Sequence, residues 1–200
     1  MDDLLYRRFF SDLPELRTER LLLRKLRSAD VYDVNEYASL EEVPKHLLWT
    51  PHLNLRETQG YLDFLQKRYR KGLHSDWGIQ LQNSGKIIGT CGFSSVDISH
   101  ESCELGYVLS PHYWGKGYMD EAFAAVLEAA FDRLQAHRVT LRILEGNQPS
   151  ERFALRHGFR FEGKSVDALY VKGAYRTVCH YALLKKEYQG VKKTYPVDWS

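Results

Sequence analysis

Apolar residues recur along this chain with two different periods, and the change of period marks its elements. Arg20 to Leu26 (RLLLRKL) is a short apolar strand with basic edges. Ser28 as a cap with Asp30 in the first turn predicts a helix over Val31 to Leu40. Asn54 followed by Glu57 predicts the start of a second helix, which runs to about Lys71. Its Leu55, Tyr61, Leu62, Leu65 and Tyr69 fall on or near one stripe. From Asp76 the period drops towards two. Trp77 to Gln82 alternates, Asn83 to Lys86 reads as a hairpin turn, and Ile87 to Val96 is the return strand. Cys103 to Leu109 is a further strand. Gly115 to Leu134 is the longest helical pattern, with Met119, Ala122, Phe123, Val126, Ala130 and Leu134 at helical spacing. His137 to Leu144 alternates Val139, Leu141 and Ile143 against Thr140 and Arg142. Pro149 suits the first turn of a short helix that Gly158 stops. Two last strands, about Phe159 to Val171 and Tyr175 to Leu184, meet at Lys172-Gly173. The order β-α-α-β-β-β-α-β-α-β-β describes a mixed α/β (α+β) sheet in one domain.

Composition narrows the class without naming a chemistry. The 200 residues are 44% apolar and 27% charged, as in ordinary globular chains, which excludes disordered, collagen-like and membrane-spanning classes. Lys plus Arg number 28 against 26 Asp plus Glu, a formal charge of +2 that is too even to make nucleic acid or a membrane the expected partner. Cys91, Cys103 and Cys179 are odd in number and widely spaced, so a disulfide framework is not expected and a reducing cytoplasm is. With no CxxC, no HExxH and eight scattered histidines, no metal site is expected. The first ten residues lack an uninterrupted apolar core and do not read as a signal peptide.

The stretch that carries chemistry is Glu104 to Ala122, ELGYVLSPHYWGKGYMDEA. A strand ends at Leu109, the chain turns past Pro111, and Gly115-Lys116-Gly117 opens a long helix. Free N–H groups at such a helix start attract phosphate oxygens, and Lys116 adds charge beside them. A simple tight turn is the competing explanation. A Walker loop would need GxxxxGK[ST], but the lysine lies between the glycines and Tyr118 follows. A dinucleotide fingerprint would need a third glycine where Asp120 stands.

Four separated pieces resemble the GNAT superfamily of acyl-CoA-dependent N-acetyltransferases, in its branch of ribosomal-protein N-acetyltransferases typified by RimJ and RimL. They are Thr18-Glu-Arg-Leu-Leu-Leu-Arg24; Ile87-Ile-Gly-Thr-Cys-Gly-Phe93; Glu104 to Met119; and Asn147-x-x-Ser150 with Gly158-Phe159 and Glu162-Gly163. The resemblance spans residues 18 to 184, which leaves an N-terminal arm (1–17) and a C-terminal tail (185–200). It implies a mixed, mostly antiparallel sheet of six to seven strands, flanked by about four helices, whose central strands splay apart.

The resemblance also implies roles. Acetyl-CoA is the implied co-substrate. Its pantetheine arm would pair with Val108, Leu109 and Ser110, and its pyrophosphate would sit on Gly115, Lys116, Gly117, Tyr118 and Met119. Asn147 would reach the cofactor arm or order a water; an Asn before a helix is also simply a cap, and it can serve as both. Glu104 is the candidate base, working through water, and Ser150 the candidate proton donor. The acceptor groove would be lined by His46 and Trp49 on one wall and by Tyr170, Tyr175 and Arg176 on the other. Trp77 and Trp114 are expected as core or wall residues, and Lys185, Lys186, Lys192 and Lys193 as a solvated basic tail.

The sequence departs from the family pattern in four places. His112 stands where Gln or Arg is common. Asp120 replaces a common Thr and is expected to point away from the pyrophosphate. Ala154 occupies the position of a frequent Tyr acid, and Thr177 that of a frequent Asp. The expected reaction is acetyl transfer to a primary amine, either a protein N-terminus or a small molecule such as a polyamine or an antibiotic. A non-catalytic acyl-CoA sensor is the alternative from another class. A monomer or a homodimer is expected.

Overall fold

In the computed structural model the described residues are 2–192 and 196–199. They form nine strands and six α-helices: α1 (Asp3–Ser11), β1 (Leu16–Arg17), β2 (Leu21–Arg24), α2 (Val31–Ala38), α3 (Leu55–Arg70), β3 (Asp76–Leu81), β4 (Ile87–Asp97), β5 (Ser102–Leu109), α4 (Tyr118–Glu128), β6 (Arg138–Leu144), α5 (Gln148–Arg156), β7 (Arg160–Val171), β8 (Ala174–Leu184), α6 (Lys185–Val191) and β9 (Asp198–Trp199). One sheet runs β7-β8-β6-β5-β4-β3-β2-β1-β9. Every neighbouring pair is antiparallel except β5 and β6, which are parallel.

This is the expected mixed sheet, enlarged at its ends. The two-residue strands β1 and β9 and the helices α1 and α6 lie in segments that read from the sequence as a helical or irregular arm and a loose polar tail. The arm packs firmly, with Phe10, Leu13 and Leu16 buried in the main core. The tail, expected to be loose, is folded as well. Tyr188 of α6 stacks on Phe131 with ring centroids 4.6 Å apart, and Val197 and Trp199 lie against the core. Lys192 reaches Asp132 at 2.8 Å rather than standing free in solvent. Lys193 lies outside the described residues.

Several element starts differ from the sequence pattern for local electrostatic reasons. Ser28 does not cap α2; its hydroxyl accepts a hydrogen bond from Gln66 instead. A 3-10 turn, Ser28–Asp30, precedes the helix, and Asp30 accepts the Arg27 N–H at 2.7 Å. Asp30 is buried because Arg24 grips both of its oxygens at 2.8 Å, a fork-to-fork pair. Asn54 caps α3 as expected, taking the N–H groups of Arg56 and Glu57, and the Glu57 carboxylate reaches back to the Leu53 N–H. The pattern predicting one helix from Gly115 to Leu134 resolves into α4 followed by a wider π turn at Ala129–Arg133.

Candidate active site

The sheet opens at one place. β5 pairs with β6 only through Ser102, Cys103 and Glu104, opposite Arg138, Val139 and Thr140. Beyond Glu104 it stays paired with β4 as far as Leu109 but has no partner on its β6 side. Leu105 to Leu109 therefore present an open backbone edge inside the sheet. Gly89 lets β4 approach closely here, since a Cβ at that position would lie 2.2 Å from the Val108 carbonyl oxygen.

Side chains of β5 alternate between faces. Tyr107 points to the face covered by α4 and α5, where its ring meets Phe123 at 5.6 Å and Phe153 at 4.8 Å. Glu104, three residues earlier, stands on the opposite face at the last rung shared with β6. Its carboxylate pairs with Arg142 at 2.7 Å. The two candidate catalytic residues are thus not in one cavity. Ser150 lines a cleft of about 770 Å³, whereas Glu104 lines a smaller depression of about 380 Å³ with Thr140, Arg142, Lys164 and His180. The opening between β5 and β6 lies between the two faces.

The larger cleft brings most of the other candidates together. Val108, Leu109, Gly115, Gly117, Tyr118, Met119, Asn147 and Ser150 line it, with His46 on the far wall. Gly115 and Gly117 have φ of +72° and +77°, a region costly for residues with a Cβ, which explains both glycines. Gly117 is the residue before the first turn of α4, so the helix's free N–H groups face the cleft. Lys116 does not line it. Its ammonium folds back 2.8 Å from the His112 carbonyl, over the Tyr113 ring. Ser110 is buried beside the strand end. Asn147 caps α5 by accepting the Ser150 N–H at 3.4 Å, so the cap explanation holds for that side chain.

Three of the expected acceptor residues are placed elsewhere. Trp49 packs beside His52, with ring centroids 5.3 Å apart, and does not reach the cleft. Tyr170 and Tyr175 face each other across the final hairpin at 5.1 Å and are largely exposed. Trp77 is fully buried and donates to the Pro14 carbonyl, while Trp114 is a wall residue whose indole donates to the Leu109 carbonyl at 2.8 Å.

Asp120 does not point away, for it lines the cleft. Its charge is answered by Arg156 and His157, each with a nitrogen 3.1 Å from Oδ1. Burial pushes the Asp120 pKa up, but Arg156 and His157 outweigh it and hold the carboxyl below its ordinary value. The guanidinium of Arg156 thus answers the charge of Asp120 within the cleft.

Sequence reasoning missed Tyr107, Arg156, and the clamp of Thr18 and Arg20 on Glu121. Tyr107 carries the clearest signal of a ligand. Among the described residues no hydrogen bond of ordinary geometry meets its buried hydroxyl, which Ser150 approaches, or the buried hydroxyl of Ser110. Buried polar atoms without partners are rare in folded chains. Burial pushes the Tyr107 pKa up, with Ser150 and Arg156 close enough to lower it in part. An open strand edge, the buried Tyr107 hydroxyl and a glycine-rich helix start lie along one cleft. Together they fit a long ligand with amide groups at one end and phosphates at the other, as acetyl-CoA has.

A strand opened in mid-sheet beside a glycine-rich helix start is the architecture of an acyl-CoA-dependent transferase. The comparisons agree. Residues 20–160 match the family model described as "Acetyltransferase (GNAT) domain", and the chain belongs to that family. It is 31% identical over 175 residues to an uncharacterized N-acetyltransferase, p20, of Bacillus licheniformis, covering 88% of this chain and 98% of that protein. It is 28% identical to the [ribosomal protein uS5]-alanine N-acetyltransferase of Escherichia coli, covering 83% and 89%. It is 22% identical to a spermidine N(1)-acetyltransferase of Vibrio cholerae, covering 84% and 95%. A crystal structure of a GNAT-family acetyltransferase from Bacillus anthracis superposes with a TM-score of 0.77 at 26% identity, covering 86% and 99%. The protein is an acetyl-CoA-dependent N-acetyltransferase. No helix among the described residues is long and apolar enough to cross a membrane.

Proposed function

We propose that the protein acetylates the N-terminal amine of a polypeptide, with the acetyl group held in the opening between β5 and β6. The observation that carries this reading is the placement of Glu104 on one face of that opening, with Ser150 and the glycine-rich helix start on the other. An amine arriving from the Glu104 face meets a carboxylate able to accept its proton directly or through water. The new N–C bond forms as the C–S bond breaks. Ser150 gives a proton or a hydrogen bond to the departing sulfur on the other face. The free N–H groups on the open edge of β5 stabilise the negative charge that develops on the thioester oxygen. Gly115, Gly117, Tyr118 and Met119 hold the pyrophosphate, with Arg156 balancing the charge of Asp120 beside it. The uS5 enzyme among the relatives supports a polypeptide acceptor. The spermidine enzyme supports the second reading, a small amine.

The test is release of free CoA thiol from acetyl-CoA with a panel of N-terminal peptides, polyamines and aminoglycosides. Turnover is expected with at least one peptide. A melting temperature unmoved by millimolar acetyl-CoA would remove the reading, because a ligand that binds only the folded state must raise it.

A further inference from the structure

Tyr107 links the open strand edge to the first turn of α5. Its backbone lies on the unpaired stretch of β5, and its side chain passes under that helix. The ring is wedged between Phe123, 5.6 Å away, and Phe153, 4.8 Å away, so the hydroxyl at its tip has a fixed place. Ser150 and Phe153 stand three positions apart on α5, which puts both on one face of the helix. Phe153 meets the ring and Ser150 approaches the hydroxyl. Ser150 lines the cleft, whereas the Tyr107 hydroxyl is shut off from solvent. The hydroxyl therefore sits behind Ser150 as seen from the cleft.

A buried hydroxyl must place its proton on an acceptor or bear the cost of leaving it unmet. Of the side chains around this one, Arg156 has only N–H donors and is already paired with Asp120. Cys91, opposite Tyr107 on β4, is a weak acceptor that burial keeps as a thiol. The Ser150 oxygen is the remaining side-chain acceptor. Burial pushes the Tyr107 pKa up, so the phenol stays a donor at neutral pH. The Ser150 N–H goes to Asn147, which anchors the serine at the start of α5. A serine that accepts from Tyr107 turns its own hydrogen elsewhere, and the side open to it is the cleft. Linked hydrogen bonds polarise one another, which makes the Ser150 O–H a stronger donor. Such contacts are often loose before substrate binds and tighten in the complex.

We infer that Tyr107 is a positioning residue for Ser150: its hydroxyl donates to the Ser150 oxygen and aims the Ser150 hydrogen at the departing sulfur. The inference rests on the role proposed above for Ser150. As the N–C bond forms, the amine proton goes to Glu104 and the electron pair of the C–S bond goes to sulfur. CoA leaves as a thiolate held by the Ser150 hydrogen bond, and neither hydroxyl gives up its proton.

The experiment is a double-mutant cycle of Tyr107→Phe and Ser150→Ala. It is run with whichever N-terminal peptide, polyamine or aminoglycoside turns over, and single-turnover mixing reads the chemical step. Tyr107→Phe is expected to lower the rate by about tenfold, less than the hundredfold or more lost with a donor that touches the reacting atoms. The KM for acetyl-CoA is expected to stay within about twofold, and the melting temperature at or above that of the wild type. In the Ser150→Ala background the same substitution is expected to change the rate by less than about twofold.

A Tyr107→Phe enzyme with full rate overturns the inference. So do losses that multiply in the double variant, because Tyr107 would then act apart from Ser150. So does a raised KM for acetyl-CoA at unchanged rate, because the hydroxyl would then hold the cofactor. A slow Ser150→Ala beside a full-rate Tyr107→Phe removes this inference alone. Ser150→Ala at full rate removes the proposed role of Ser150 and this inference with it, and no turnover with any acceptor removes the proposed reaction as a whole.

Discussion

Arg20 and Glu121, separated by 101 positions, form an ion pair of 2.7 Å that ties the entry of β2 to the first turn of α4. Glu121 is 1% exposed and has every reason to be paired. It accepts from the Thr18 hydroxyl at 2.6 Å and the Arg20 N–H at 2.8 Å, and its negative charge sits at the positive end of the helix. Arg20 continues to the Lys116 carbonyl at 3.0 Å and lies over the Tyr118 ring at 4.4 Å. The clamp therefore holds the glycine-rich turn from behind.

Replacing Glu121 with Ala should destabilise the fold by about 2 to 3 kcal/mol, the worth of charged hydrogen bonds whose partners are left unmet. It should also weaken acetyl-CoA binding by loosening the turn. Urea denaturation and calorimetric titration measure the two effects. A variant with wild-type stability would show that the clamp is dispensable.

Gly89→Ala tests the strand opening itself. A Cβ would meet the Val108 oxygen at 2.2 Å and the Leu109 Cα at 3.0 Å, both of them backbone atoms that must move. A loss of about 1 to 3 kcal/mol is expected from overpacking, with a higher KM for acetyl-CoA. An unchanged KM would mean that the edge of β5 does not hold the cofactor arm.

The proposed catalytic pair can be separated by readout. Glu104→Gln should lower kcat by about a hundredfold and leave acetyl-CoA affinity unchanged, since the carboxylate lies on the opposite face from the glycine-rich turn. Ser150→Ala should lower kcat with little effect on the melting temperature. Tyr107→Phe removes a buried hydroxyl that makes no well-formed hydrogen bond among the described residues, so its stability should match or exceed the wild type in the absence of ligand. If Tyr107→Phe also keeps full acetyl-CoA affinity, that hydroxyl does not touch the ligand.

Asp76 gives the chain a pH dependence of folding. Burial pushes its pKa from 3.8 up to about 7, against a smaller opposing effect of Arg68. Between these values the folded state holds a proton that the unfolded state has released. Stability from this group is therefore complete below the lower value and is lost as pH rises through the upper one. Asp76→Asn should gain on the wild type as pH rises from about 4 to about 8, with the curves running parallel below that range. Denaturant midpoints across this range are the measurement, and a constant difference would refute the assignment.

Much of this molecule was legible in the chain because its signals are local. The capped start of α3 depends on Asn54 and Glu57, three positions apart. The hairpin at residues 83–86 and the alternation of β6 depend on nearest neighbours. The glycine pair before α4 announces a tight turn because residues 115 and 117 need positive φ, a property of the backbone at those positions alone.

Other features could not be read because their causes are distant in sequence. Glu121 has its partners Thr18 and Arg20 more than a hundred positions away. The arm reads as a helical or irregular segment and the tail as polar, yet α1 buries Phe10 and α6 stacks Tyr188 on Phe131, contacts that no short window contains. Tyr170 and Tyr175 look like groove residues by position but pair outward on the hairpin, while Lys172 bonds back to Pro44.

The sequence by itself determined the family, the order of the elements and the glycine turn that opens α4, because periodicity, caps and glycine conformation act within a few residues. Only the tertiary structure decided that Glu104 and Ser150 stand on opposite faces of the opening, that Asp120 is paired with Arg156 and His157, and that Lys172 of the final hairpin bonds back to Pro44. Faces, ion pairs and local charge density are set by which distant segments the sheet brings together, and one-dimensional spacing does not encode that.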